Sequence, residues 1–359
     1  MNNFNKKRTW SILLVLQFFI FYGVSQSKVL IHQYICFFER QKDMHTLLFS
    51  KIPFSVGDVL YLILGGVLLY FVIQIFNKKK RKKALLKLLM ITTIFYFVYQ
   101  VFWGLLYFQK PLIYELPKGR VSLKFKKALA KKYFFICLNE RKWVEEDENG
   151  VMKISDIPLL KKEIINRQSS IPFPFNTMKT EQITNIKESL YADFLSHIGI
   201  LGYFNPFTGE AQYNDNIPHI EIPFTLAHES AHQIGYAREE EASFIGFLMG
   251  EKSENHAIKY SVYWYGLKSL LRNIAMEDLA FAQKVLENFS PAMKRDYEAK
   301  LKYSEQYQGI LNDWFGTAND LFLKSNQQDG IISYSYFTTL LLRYEYEKRA
   351  VLGTAQKHK

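Results

Sequence analysis

His228 and His232 stand four residues apart and enclose Glu229 in the run His228-Glu229-Ser230-Ala231-His232. On a helix, residues four apart share one face, a turn apart, so two imidazoles can point at one metal ion. Zinc suits this ligand type and spacing. Glu229 lies one position round, where it can reach a water beside that ion and act as a general base. The plain structural alternative is a surface helix with two satisfied histidines.

Two imidazoles do not complete such a site, since catalytic zinc usually takes three protein ligands and a water. The chain continues Gln233-Ile234-Gly235-Tyr236-Ala237-Arg238-Glu239-Glu240-Glu241-Ala242-Ser243-Phe244. In metzincins a third histidine follows the glycine by three places. Arg238 holds that place here and cannot ligate zinc, so a carboxylate is expected, as in gluzincins. A straight helix would carry residue 241 to the far side of His232, so the chain must turn, and Gly235 is where it most easily can. With a second helix starting near Arg238, Glu241 shares a face with Phe244, Ile245 and Leu248. Glu240 lies with Phe244 and Phe247, and Glu239 with Ala242, Ser243 and Gly246, a weaker inward face. Glu241 is therefore the expected third ligand, ahead of Glu240 and Glu239, with Glu221, His219 and His256 behind them. The other two glutamates are expected at a solvated helix start, where acids suit the dipole. Arg238 is expected to pair with one of them. Tyr260, Tyr263, Tyr265, Tyr334 and Tyr336 are the candidates to stabilise an oxyanion, and sequence does not choose among them.

The surrounding elements must place these residues. Thr180–Ile198 reads as a helix with Ile183, Ile186, Leu190, Phe194 and Leu195 on one stripe. From Gly199 to Pro223 the glycines, prolines and asparagines between short apolar runs read as strand and turn. That stretch leads into the histidine helix, for which Thr225 is the expected N-cap. An extended edge beside such a helix can pair with a peptide by strand addition. Lys124–Leu138 reads as an amphipathic helix with its lysines on a solvated or headgroup-facing surface. Glu145–Gly150 reads as an acidic turn and Arg167–Met178 as a loop. Helices are expected from Tyr260 onward, the last over Ser333–Arg349.

The net charge of +12 is local. Lys6, Lys7 and Arg8 form one cluster; Lys78–Lys83 and Lys87 form another. Together they hold ten of the 46 basic residues, and the remaining 36 face 34 acidic ones. A nucleic-acid binder should concentrate charge on a folded surface, so no nucleic-acid partner is expected. Both clusters instead flank apolar segments. Trp10–Val24, Val59–Phe76 and Ala84–Phe108 are each read as membrane spans, given that about 20 mostly apolar residues cross a bilayer. The first also fits a signal peptide, but only Ser25-Gln26-Ser27 offers a weak cleavage pattern, so an uncleaved span is favoured. The positive-inside rule keeps both basic clusters in the cytoplasm. Residues 1–110 are then a membrane domain, and 111–359 an extracytoplasmic domain. Cys36 and Cys137 do not announce a disulfide framework.

The runs HESAHQIGYAREEEASF, GYFNPFTGEAQYN and LKSNQQDGIISY resemble a bacterial family of multi-pass membrane proteins of unknown function, domain-of-unknown-function family 3810. The resemblance covers most of the chain and implies a zincin-like fold with Zn2+ as cofactor. The segment Glu241-Ala242-Ser243 is also similar to the glutamate-alanine-asparagine signature that supplies a zinc glutamate in gluzincin-like proteins. Serine in place of asparagine implies a weaker supporting role there. The expected fold is mainly α: three transmembrane helices, then a helix-rich α+β zincin-like domain. The expected function is a membrane-anchored zinc metallopeptidase acting on a peptide or protein substrate outside the cytoplasm, with His228, His232 and Glu241 on the metal and Glu229 as base. The alternative is an inactive zincin-fold sensor or assembly protein.

Overall fold

A computed structural model describes residues 3–119, 121–180, 185–326 and 328–357. The chain divides into two compact units, Met1–Gln109 with Asn205–Glu210, and Lys110–Phe204 with Ala211–Lys359. Both are mainly helical.

The first unit carries α1 (Asn3–Ser25), α2 (Lys28–Phe49), α3 (Val56–Ile75) and α4 (Arg81–Phe102). Stretches of 20, 20 and 22 residues in α1, α3 and α4 are long and apolar enough to cross a membrane. They are apolar on every side and stay exposed along most of their length, as helices do whose natural surroundings are lipid. The third of these helices ends earlier than the expected Ala84–Phe108. The helix stops at Phe102, and Trp103 (φ −150°, ψ −51°) turns the chain into 3-10 geometry over Gly104–Phe108. The α2 helix has no counterpart in the hydropathy pattern, because Lys28, Glu39, Arg40, Lys42 and Asp43 interrupt its apolar residues. The turn between residues 205 and 210 belongs to this unit. Glu210 is fully buried and accepts hydrogen bonds from the backbone amides of Val56 (3.1 Å) and Gly57 (2.6 Å), so it caps the start of α3.

The second unit begins with α5 (Leu123–Glu140) and α6 (Ile157–Arg167), followed by β1 (Ile186–Glu188), α7 (Ala192–His197), β2 (Gly202–Asn205) and β3 (Glu210–Tyr213). Then come α8 (Ile222–Ile234), α9 (Glu239–Gly250), α10 (His256–Ala275), α11 (Leu279–Glu287), α12 (Pro291–Tyr307), α13 (Ile310–Ser325) and α14 (Ser333–Lys357). Of the α5 lysines, Lys124, Lys131 and Lys132 are exposed, whereas Lys126 and Lys127 are half-buried. Lys126 meets Glu277, Lys127 meets Asp278, and Lys132 meets Glu345.

Thr180–Ile198 is not one helix. Residues 181–184, with Ile183, lie outside the described residues, and Ile186–Glu188 is a strand pairing in parallel with Ala211–Tyr213. The apolar spacing that read as a helical stripe is shared between that strand and short α7, which leaves Leu190 and Phe194 exposed. Long-range pairing has overridden the local pattern. The sheet order is β1-β3-β2, so β2 is an edge strand.

The core of this unit is the stack of α8, α9 and α10. Leu226, Ala227, Ala231 and Ile234 of α8, Phe244, Ile245 and Phe247 of α9, and Tyr260, Trp264 and Leu267 of α10 are buried. Gly246 lets α8 and α9 approach closely: a Cβ there would stand 3.1 Å from the His228 backbone nitrogen and 3.2 Å from the Ala227 carbonyl carbon. Any larger residue would push α9 away from the histidine helix. Thr225 is not the cap of α8. The helix starts three residues earlier, and Pro223 sits in its first turn, where a missing N–H costs nothing. The Phe224 amide is satisfied by Ser261 Oγ of α10 at 3.1 Å, and that hydroxyl donates to Ile220 O at 2.5 Å.

Candidate metal centre

The α8 helix ends at Gly235, whose φ of 118° is left-handed and open to glycine without strain. The Gly235 amide donates to His232 O and the Tyr236 amide to Ala231 O, closing the helix end. Arg238 is extended (φ −78°, ψ 135°), and α9 begins at the next residue. The chain therefore reverses where expected.

The reversal brings the first residue of α9, Glu239, to the histidines. Its Oε2 lies 3.2 Å from His228 Nε2 and 3.6 Å from His232 Nε2. One ligand atom from each of the three residues falls within 4.8 Å of the others. Atoms bonded to one tetrahedral zinc at about 2.0–2.1 Å stand roughly 3.3 Å apart, and the two separations here are compatible with a shared ion.

Glu241 is not with them. Two residues further round α9 its side chain points away, and Oε1 accepts a hydrogen bond from the Leu112 amide at 2.7 Å. Burial lifts its pKa to about 7. Glu240 is raised too, chiefly by burial, while the Arg238 charge works the other way on both glutamates. The remaining alternatives are engaged elsewhere. Glu221 pairs with Lys300 at 2.5 Å, His219 Nδ1 accepts from the Ile154 amide, and His256 Nδ1 meets Glu140.

The other ring nitrogens are also held. His232 Nδ1 lies 2.7 Å from Tyr236 O, which can only accept, so the proton sits on Nδ1 and Nε2 is left for a metal. Tyr236 is anchored in turn, its hydroxyl donating to Phe175 O at 2.5 Å. His228 Nδ1 lies 3.1 Å from Ser243 Oγ, which is 3.4 Å from the Tyr265 hydroxyl. Tyr265 stacks on Phe224 with ring centroids 3.6 Å apart. Ser243, expected to matter less than an asparagine in its place, is thus the residue that orients His228. Partners of this kind commonly change metal affinity 10–100-fold. Ser243→Ala is expected to weaken zinc binding within that range, measured by competition with a chromophoric chelator. Unchanged affinity would remove Ser243 from the site.

Glu229 is buried, and its Oε2 has no hydrogen-bond partner among the described residues. Desolvation pushes its pKa up to about 8. Glu239 is held well below the usual carboxylate range: burial opposes its charge, but His232 and His228 beside it prevail. Burial of a carboxylate oxygen without a hydrogen bond is unusual, and here it falls on the helix that carries both histidines. The β2 edge strand lies against it. A Cβ on Gly202 would stand 2.8 Å from each of Glu229 Cγ, Thr225 Cγ2 and Gln212 O.

The tyrosine hydroxyls are mostly committed. Tyr260 donates to Asp296 and Tyr336 to Asp329; Tyr265 lies beside Ser243, and Tyr263 packs edge-on against Tyr133. The Tyr334 side chain lies outside the described residues.

The family described as "Protein of unknown function (DUF3810)" matches residues 36–342. The chain belongs to that family. No curated protein and no solved structure matches it.

Proposed function

We propose that the protein is a membrane-anchored zinc metallopeptidase, with His228, His232 and Glu239 as metal ligands and Glu229 as general base. The observation that carries this reading is the convergence of the three ligand atoms beside the unpartnered Glu229 carboxylate. Zinc held there supplies Lewis acidity, which makes water a usable nucleophile near neutral pH. Glu229 takes the proton from that water and later delivers it to the leaving amine. Ser243 and the Tyr236 carbonyl hold the two imidazoles in register throughout. The edge position of β2, with Gly202 against Glu229, supports a peptide substrate bound as an added strand. Incubating the detergent-solubilised full-length protein with a peptide library should produce cleavages, read by mass spectrometry, that a chelator abolishes and added zinc restores. Cleavage indifferent to the chelator would reject a metallopeptidase.

The two basic clusters, which stay inside by the positive-inside rule, support a site outside the cytoplasm. A reporter active only outside the cytoplasm should work when fused after Lys359 and fail within the Lys78–Lys83 loop. The reverse pattern would put the site inside the cell.

A further inference from the structure

The α2 helix is 22 residues long, about 33 Å at 1.5 Å per residue, enough to cross a bilayer. The packing of the first unit forbids it. Gln17 Nε2 of α1 donates to Thr93 O of α4 at 3.0 Å, and Phe21 packs on Tyr96 and Phe97 at 6.0 and 5.7 Å. Residue numbers rise together, so α1 and α4 run parallel. The short link between Ile75 and Arg81 makes α3 antiparallel to α4, and the Phe207 ring touches Tyr61 near the start of α3 and Phe95 in the second half of α4. The end of α1, the start of α3 and the end of α4 therefore lie at one membrane surface. The chain from residue 26 to 55 leaves and returns on that side. Were α2 a crossing, residues 50–55 would have to come back alone, and six extended residues reach only about 21 Å of a roughly 30 Å core.

Contacts hold α2 at that surface. Phe38 packs on Trp103 (6.3 Å) and His45 on Phe102 (4.9 Å), so seven residues of α2 pass over the end of α4 instead of running beside it. The buried face of α2 is mixed, Ile31, Tyr34 and Phe38 with Gln41, Lys42 and Thr46, whereas Val29, Leu30, Phe37, Met44, Leu47 and Leu48 are exposed, Met44 at 69% and Leu48 at 65%. Leu30, Phe37, Met44 and Leu48 recur at helical spacing on one stripe. Exposed Lys28, Arg40 and Lys51 flank it. The stripe starts within a few residues of the exposed apolar end of α1, including Ile20 and Tyr22.

We propose that α2 is an in-plane membrane helix: its stripe inserts at the boundary between headgroups and acyl chains, on the side where the chain leaves α4. The lipid that lies against α1 continues under the stripe, and the flanking cations meet anionic headgroups. The proposal is independent of the metal site.

The test uses the full-length protein in vesicles of mixed phosphatidylcholine and phosphatidylglycerol, in a Cys36→Ser background that leaves Cys137 buried. Nitroxide labels go on Leu30→Cys, Phe37→Cys, Met44→Cys and Leu48→Cys, with Val67→Cys in α3 as the mid-bilayer reference. Depth is read from relative accessibility to oxygen and to a water-soluble nickel chelate. All four labels should report one shallow depth, agreeing within about 5 Å, roughly a helix radius with its side chains. They should be shallower than the Val67 label, whose depth also verifies that the spans are intact. A depth that progresses through the midplane over about 27 Å from residue 30 to 48 would make α2 a span and overturn the proposal. Free exposure to the nickel chelate, or shielding from both probes by a protein partner, would overturn it equally.

Discussion

Glu229→Gln should bind zinc as the wild type does and lose peptide hydrolysis by about 10² to 10⁴-fold, the usual range for a missing general base. The substitution keeps the shape of a side chain that is buried and packed against Gly202. It removes only the ability to accept the proton from water. In the proposed assignment Glu229 stands next to a ligand and is not one, so metal content should not move. Zinc per chain and the rate of library cleavage, measured on the same preparation, separate the two effects. Hydrolysis that survives the change would take Glu229 out of the chemistry; loss of zinc would show that it holds the metal.

Glu239→Ala has the largest expected effect on the metal. It leaves two imidazoles to hold an ion that needs three protein ligands, so zinc should fall from one per chain to a small fraction after dialysis. Glu241→Ala should keep its zinc, because its carboxylate serves the Leu112 amide. That variant should instead lose stability, by about 1–3 kcal/mol for a buried donor left without its acceptor. Measuring zinc and thermal unfolding for both variants gives opposite patterns if the assignment holds. Zinc lost from Glu241→Ala and kept in Glu239→Ala would reverse it.

Much of this site is legible in the sequence, because the features concerned are local. The four-residue spacing of His228 and His232, the helix stop at Gly235 and the new helix at Glu239 each follow from a few neighbouring residues. The identity of the carboxylate that meets the histidines does not. Ranking the faces of α9 by apolar bulk favours Glu241, whereas the face that meets α8 is the one with small residues, Ala242, Ser243 and Gly246. Close approach of two helices selects for small side chains at the crossing. Gly246 sits against the His228 backbone, and Glu239 shares its side of α9. The face that looked weak for lack of bulk is the one pressed against the histidines.

Elsewhere the failures are non-local too. The Ile186 strand exists because Ala211 is there to pair with it, and no window around residue 186 contains that information. The start of α8 needs Ser261, almost forty residues away, to satisfy the Phe224 amide. The α2 helix escapes a hydropathy reading because its charges break the run, although its exposed stripe is apolar. The three helices long and apolar enough to cross a membrane are visible at once, since length and apolarity define them.

Zinc K-edge absorption on the full-length protein, purified without added metal, tests the central proposal most directly. It should show one zinc per chain in a shell of nitrogen and oxygen only, at about 2.0–2.1 Å, with the outer-shell scattering of two imidazoles. Absence of stoichiometric zinc, or a shell without two imidazoles, would contradict a centre built from His228, His232 and Glu239.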